Sequence, residues 1–125
     1  MTRINVVPVR ELTREQLIAE YREIARIPGY LKKSLKRTGK PFDLSEIPDN
    51  YTLGTGHVKF FYDKMLYLKK RHTELVEEMI RRGYKPTYTD TSIYDVGREW
   101  QGAYRPTKEA MTINRERLKQ KNKKK

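Results

Sequence analysis

Residues 17–26 read LIAEYREIAR, and this stretch decides the fold. Leu17, Tyr21 and Ile24 recur at spacings of four and three, which places them on one face of a helix. Arg22 and Arg26 fall opposite that face, with Glu23 on the flank, one helical step from Arg26. A helix packed by its apolar side therefore presents one carboxylate beside two guanidiniums. Two readings are open. One is a solvated face with a weak Glu–Arg pair, worth roughly 0.2–0.5 kcal/mol. The other is a site for a phosphodiester, with arginines holding phosphates and the carboxylate moving protons or stabilising developing positive charge.

Working outward, Thr13 fits a helix N-cap and Gln16, three residues on, completes a capping box, so the helix starts near Arg14. Residues 2–11, TRINVVPVRE, precede any helix signal. Val6, Val7 and Val9 are apolar, but Pro8 argues against a central strand. The expectation is an extended lead-in laid across the domain. On the other side the apolar row continues through Pro28, Leu31 and Leu35 without losing phase. Pro28 should therefore kink the helix rather than end it, and Gly39 should stop it.

Residues 40–53 carry turn formers and read as loop. Gly54-Thr55-Gly56-His57 then precedes a second helical row of Phe61, Met65, Leu68, His72, Leu75 and Met79, closed by Arg81, Arg82 and Gly83. His72, inside that row, is expected to be packed. Residues 84–106 lack periodicity, yet Tyr84, Tyr88, Tyr94, Trp100 and Tyr104 are too many aromatics to leave in water, and most should cap the core. A third helix begins near Thr107 and shows Ala110, Met111, Asn114 and Leu118 on one face. The expected architecture is a compact all-α domain, residues 1–118, of three main helices with long loops. The basic stretch 119–125, KQKNKKK, is expected to be a disordered tail.

Composition narrows the function classes. The 28 Lys and Arg outnumber the 16 Asp and Glu by enough to give a net charge of +12, which implies a polyanionic partner. Nucleic acid fits better than a membrane surface, because no basic helix with a clean apolar face appears. The absence of cysteine excludes disulfides, thiolate nucleophiles and cysteine zinc sites. No stretch is apolar enough to span a membrane and the first residues are not a signal peptide, so a cytoplasmic, nucleoid-associated protein is expected.

The GTGH turn resembles a phosphate-binding turn at a helix start, but it lacks both the third glycine of a dinucleotide fingerprint and the ending of a P-loop. Close backbone approach, to the core or to a DNA phosphate, suits it better. Glu20 and Glu23 find no third acid for metal catalysis. One nucleophile is hidden from composition: the α-amine. Its reference pKa of about 7.7–8.0, against about 10.4 for lysine, makes its neutral fraction a few hundredfold larger at neutral pH. Residue 2 is threonine, small enough for the initiator methionine to be removed, which would leave Thr2 as the terminus, followed by Arg3.

MTRIN, LIAEYRE and LGTGHVKFFYDK, with LKKR and RRGY after them, resemble the phage pyrimidine-dimer DNA glycosylase/AP lyase family over about residues 1–118. The resemblance implies a three-helix fold and attack of the Thr2 amine on C1′ of a lesion nucleotide. An imine follows, and β-elimination cuts the strand. It implies no metal or cofactor. Glu23 matches the family's catalytic acid, and Arg3, Arg22 and Arg26 match its phosphate-holding residues. The expected DNA-binding set is Arg3, Arg22, Arg26, Gly56, His57, Lys59, Arg117 and Lys121. The expected partner is double-stranded DNA carrying ultraviolet lesions or abasic sites, bound by a monomer of phage or bacterial origin. Two departures from the family pattern are visible: no aromatic follows Tyr104, and Gln16 stands where the archetype has a histidine. Broader lesion specificity, or a non-catalytic nucleic-acid-binding protein derived from such an enzyme, remain the alternatives.

Overall fold

A computed structural model describes residues 4–38, 47–48, 50–53, 57–87, 89–95 and 98–123, with side chains at all of these except 34–38, 59, 99 and 120–123. Five helices make the described fold: α1 Arg14–Ile24, α2 Arg26–Thr38, α3 His57–Phe60, α4 Met65–Arg81 and α5 Lys108–Lys123. Short 3-10 turns lie at Val9–Glu11, Ser92–Tyr94 and Arg98–Trp100. The fold is all-α, as the sequence predicts. The element expected at Gly39 lies outside the described residues.

α1 starts as its sequence dictates. The Thr13 hydroxyl accepts from the Gln16 amide at 3.2 Å while the Gln16 side chain accepts from the Thr13 amide at 2.9 Å, satisfying two of the helix's orphan donors. The interruption caused by Pro28 falls earlier than its own position, between α1 and α2 at Ala25. Proline lacks the amide that would bond the carbonyl four residues back, at Ile24, and its ring crowds that carbonyl. The chain therefore kinks one turn upstream of the proline and resumes as α2.

Leu17, Ile24, Ile27 and Leu31 form the buried seam of α1–α2 and pack with Leu68, Leu75 and Met79 of α4. Burying each such side chain is worth about 1.5–3 kcal/mol. The second helical row divides in two: Phe61, Tyr62 and Asp63 form a tight turn between α3 and α4, with Phe61 and Tyr62 buried. That turn is covered by the chain near Gly102, whose amide donates to the Asp63 carbonyl at 2.9 Å and whose carbonyl accepts from the Tyr67 amide at 3.4 Å. A Cβ at position 102 would lie 2.2 Å from the Asp63 oxygen, so only glycine permits this approach. At the other end of α4, Gly83 takes φ 91° and stops the helix.

The aromatic-rich loop does cap the core. Tyr94 and Trp100 are buried, and Tyr84 and Tyr104 pack against the cluster; Tyr88 lies outside the described residues. His72 is buried in the α4 row, its Nδ1 2.7 Å from the Tyr94 hydroxyl. α5 continues to Lys123, past the end expected at Leu118. Lys, Arg and Gln are good helix formers, and residues 108–123 contain neither glycine nor proline.

Candidate active site

The extended segment Ile4–Val7 is buried throughout although it pairs with no strand among the described residues. Side chains from four parts of the fold bond its backbone instead. His57 Nε2 accepts from the Ile4 amide at 2.9 Å, and the Tyr51 hydroxyl donates to the Ile4 carbonyl at 3.1 Å. The Tyr67 hydroxyl reaches the Asn5 carbonyl at 3.4 Å. Asn114 Oδ1, on α5, accepts from both the Val6 and Val7 amides at 2.7 and 3.2 Å. Arg71 Nη1, on α4, donates to the Val7 carbonyl. A buried backbone without a ladder needs these partners, since each unmet group costs about 1–3 kcal/mol.

The same side chains join a polar network through the core. Arg71 grips Glu20 with two parallel bonds, Nε to Oε2 at 2.7 Å and Nη2 to Oε1 at 2.9 Å. Asn5 Nδ2 donates to Glu20 Oε1 at 2.8 Å, and Asn114 Nδ2 donates to Asn5 Oδ1 at 2.8 Å. Glu20 and Arg71 are 1% and 3% exposed. Burial alone would ease the proton off Arg71, but the carboxylate beside it prevails and holds the guanidinium more firmly charged than usual. Burial also pushes the Tyr67 hydroxyl well above its ordinary pKa, so it stays a donor.

Sequence reasoning missed this network, although one signal was present. The buried seam runs 17, 20, 24, 27, 31, alternating by three and four, which puts a carboxylate in a row of apolar side chains. Such a residue demands a buried cation, and Arg71 supplies it. Glu23 stands one turn further along α1, and Cβ atoms three residues apart on a helix are about 5–6 Å from each other. It therefore lies one helical step from the carboxylate that holds Asn5. Glu23 is half-buried, Arg22 and Arg26 are exposed, and none of the three makes an ion pair among the described residues. α1 and the first residue of α2 thus carry one carboxylate and two guanidiniums without an ion pair among the described residues, and Glu20 of α1 anchors Asn5 in the first described segment.

The remaining candidates are scattered. Thr2, Arg3 and Gly56 lie outside the described residues. Lys59 is on α3 and Lys121 in the last turn of α5, with no described side chain at either. Arg117 is half-buried on α5. His57 is a correction: it is 2% exposed, with Nε2 on the Ile4 amide and Nδ1 2.8 Å from the Thr52 carbonyl. The GTGH reading rests on the local turn, whereas the partner that buries this ring is 53 residues away. No ring nitrogen is left for a phosphate.

Other charged pairs are already engaged. Glu78 is held by Arg81 and Arg82, the closest hydrogen bond coming from Arg81, and its pKa falls to about 2. Arg82 also donates to the Leu12 carbonyl at 2.8 Å, fastening the end of α4 to the lead-in. Glu11 takes both bonds of the Arg115 fork at 2.9 Å. Among the described residues no three of His, Asp and Glu converge to hold a metal ion, and no helix is long and apolar enough to cross a membrane. The family model described as pyrimidine dimer DNA glycosylase matches residues 1–92.

Proposed function

The chain belongs to the pyrimidine dimer DNA glycosylase family of DNA repair enzymes, and we propose that it acts through its N-terminal amine as a combined glycosylase and AP lyase. The substrate is double-stranded DNA carrying a cyclobutane pyrimidine dimer or an abasic site. After removal of Met1, the Thr2 amine attacks C1′ of the damaged nucleotide. The N-glycosidic bond breaks and the base leaves with its electron pair. Loss of the amine proton and opening of the sugar ring give an imine. A base then takes a C2′ proton, the 3′ phosphate is expelled, and water releases the enzyme from the cut strand.

The observation that carries this reading is the clamping of Ile4–Val7 at successive backbone groups. Those bonds satisfy a buried segment and at the same time fix the position of Ile4. Two residues of extended chain span at most about 7 Å, so covalent connectivity keeps a Thr2 amine near that anchorage. Glu23 has no ion pair among the described residues and is suited to stabilise a cationic sugar or to shuttle the protons. Arg22 and Arg26, likewise without an ion pair among the described residues, are suited to the phosphates on either side, and the net charge of +12 favours the duplex as a whole.

Borohydride reduction in the presence of an abasic duplex tests this directly. The expected product is a covalent protein–DNA complex whose linkage maps to the N-terminal peptide, formed equally well in excess chelator. Acetylating the α-amine, which ties up its lone pair, should abolish it. Trapping at a lysine, or full activity after acetylation, would remove Thr2 from the mechanism. A complete absence of trapping would leave a basic nucleic-acid-binding protein.

A further inference from the structure

Both sides of one residue, Ile4, are held by aromatic side chains from the same short region, and the chemistry of that grip defines a role for His57. The Thr52 carbonyl can only accept, so His57 Nδ1, 2.8 Å away, carries the ring proton. Nε2 then bears a lone pair, which is what the Ile4 N–H at 2.9 Å requires. Tyr51 and Phe61 meet the ring edge to face with centroids at 5.5 and 5.6 Å, which fixes its tilt. Tyr51 in turn donates to the Ile4 carbonyl. The two peptide groups flanking Ile4 are thereby set relative to α3 and the loop before it.

We propose that His57 is a positioning residue for the N-terminal amine: its neutral ring, protonated on Nδ1, holds the Ile4 nitrogen and so limits where the two residues before it can reach. The inference rests on the reading of Thr2 as nucleophile. Covalent attack needs reacting atoms at about 3–3.5 Å, and a misplacement of about 1 Å can cost on the order of 100-fold in rate. Val6 and Val7 are held by Asn114 on a different helix, so the rest of the segment stays bonded when the Ile4 contact is lost. His57 touches no substrate in this scheme; it acts through the Ile4 amide.

Single-turnover borohydride trapping on an abasic duplex, measured beside duplex affinity and thermal stability, separates positioning from mere core packing. His57→Leu fills the space but offers no acceptor; its trapping rate should fall about 10–100-fold while duplex Kd stays within about twofold. His57→Gln can place Oε1 near the site of Nε2 and should recover the rate to within a few-fold of the wild type. Tyr51→Phe keeps the ring packing, loses the bond to the Ile4 carbonyl, and should slow trapping by about 3–10-fold. Wild-type trapping in folded His57→Leu overturns the proposal, as does a loss that follows Kd or Tm and is not recovered by His57→Gln. Where His57→Leu does not fold, wild-type trapping in Tyr51→Phe overturns it. A wild-type linkage that maps to lysine instead defeats the Thr2 reading, and the proposal with it, before any variant is compared.

Discussion

Glu20 and Glu23 are three residues apart on one helix and meet opposite fates. Glu20 sits in the seam, 1% exposed, gripped by both arms of Arg71 and by Asn5. Glu23 sits on the flank, half-buried, with no ion pair among the described residues. Charge in this protein is therefore divided. An inner set is consumed in holding the lead-in against α4 and α5, and an outer set, Arg22, Glu23 and Arg26, has no such duty. A buried carboxylate that already accepts three hydrogen bonds is poorly placed to move protons for a substrate, so the sequence neighbours are not interchangeable.

The largest effect that sharpens this contrast lies at Glu23. Glu23→Gln keeps the shape and removes the charge; glycosylase turnover should fall about 10²–10⁴-fold, with Tm unchanged and duplex affinity equal or tighter. Glu20→Gln should behave in the opposite way. Breaking a buried pair from one side costs about 3–5 kcal/mol, so thermal denaturation should show a Tm lower by about 10–20 °C, while activity per folded molecule survives. Similar losses of turnover per folded molecule at both positions would erase the division.

A smaller effect compares a free arginine with an engaged one. Arg26→Gln should reduce the slope of log affinity against log salt by about 0.9, the value of one phosphate contact. Arg115, already forked onto Glu11, should change that slope less. Salt titration of duplex binding measures both, and equal changes would place the engaged arginine on the DNA as well.

The smallest effect concerns Glu78, a third case: engaged, but at the edge of the fold. Its folded pKa, held down to about 2 chiefly by Arg81, lies below the ordinary value of 4.5. A depressed carboxylate adds stability that is fully present above the unfolded pKa. The contribution should thus be intact above about pH 4.5 and fade as the pH drops toward 2. Denaturant titrations of the wild type and Glu78→Gln should converge over that window, and curves that stay parallel would show that the pairing adds nothing.

What was legible from sequence was local. The burial of Leu17, Ile24 and Leu31, the Thr13 capping box, the Gly83 stop and the exposure of Arg22 and Arg26 all depend on residues within a turn or two of one another. Pro28 announced a kink, although its steric effect falls on Ile24 and Ala25. The polar network was illegible because its members, Asn5, Glu20, Arg71 and Asn114, are brought together only by the tertiary fold. His57 was misread for the same reason. Its neighbours in sequence suggest a phosphate turn, while its bonding partner is at the far end of the lead-in.

The bond between Val6 and Asn114 joins positions 108 residues apart, and this gives the protein a schedule as well as a shape. During synthesis the lead-in is among the first segments made, yet the amide that receives it is among the last. At about 5–20 residues per second, the first residues wait roughly 5–20 s before Asn114 exists to seal them in. Once α5 docks, Ile4–Val7 becomes an internal part, and a molecule interrupted before Asn114 leaves the Val6 and Val7 amides without that acceptor.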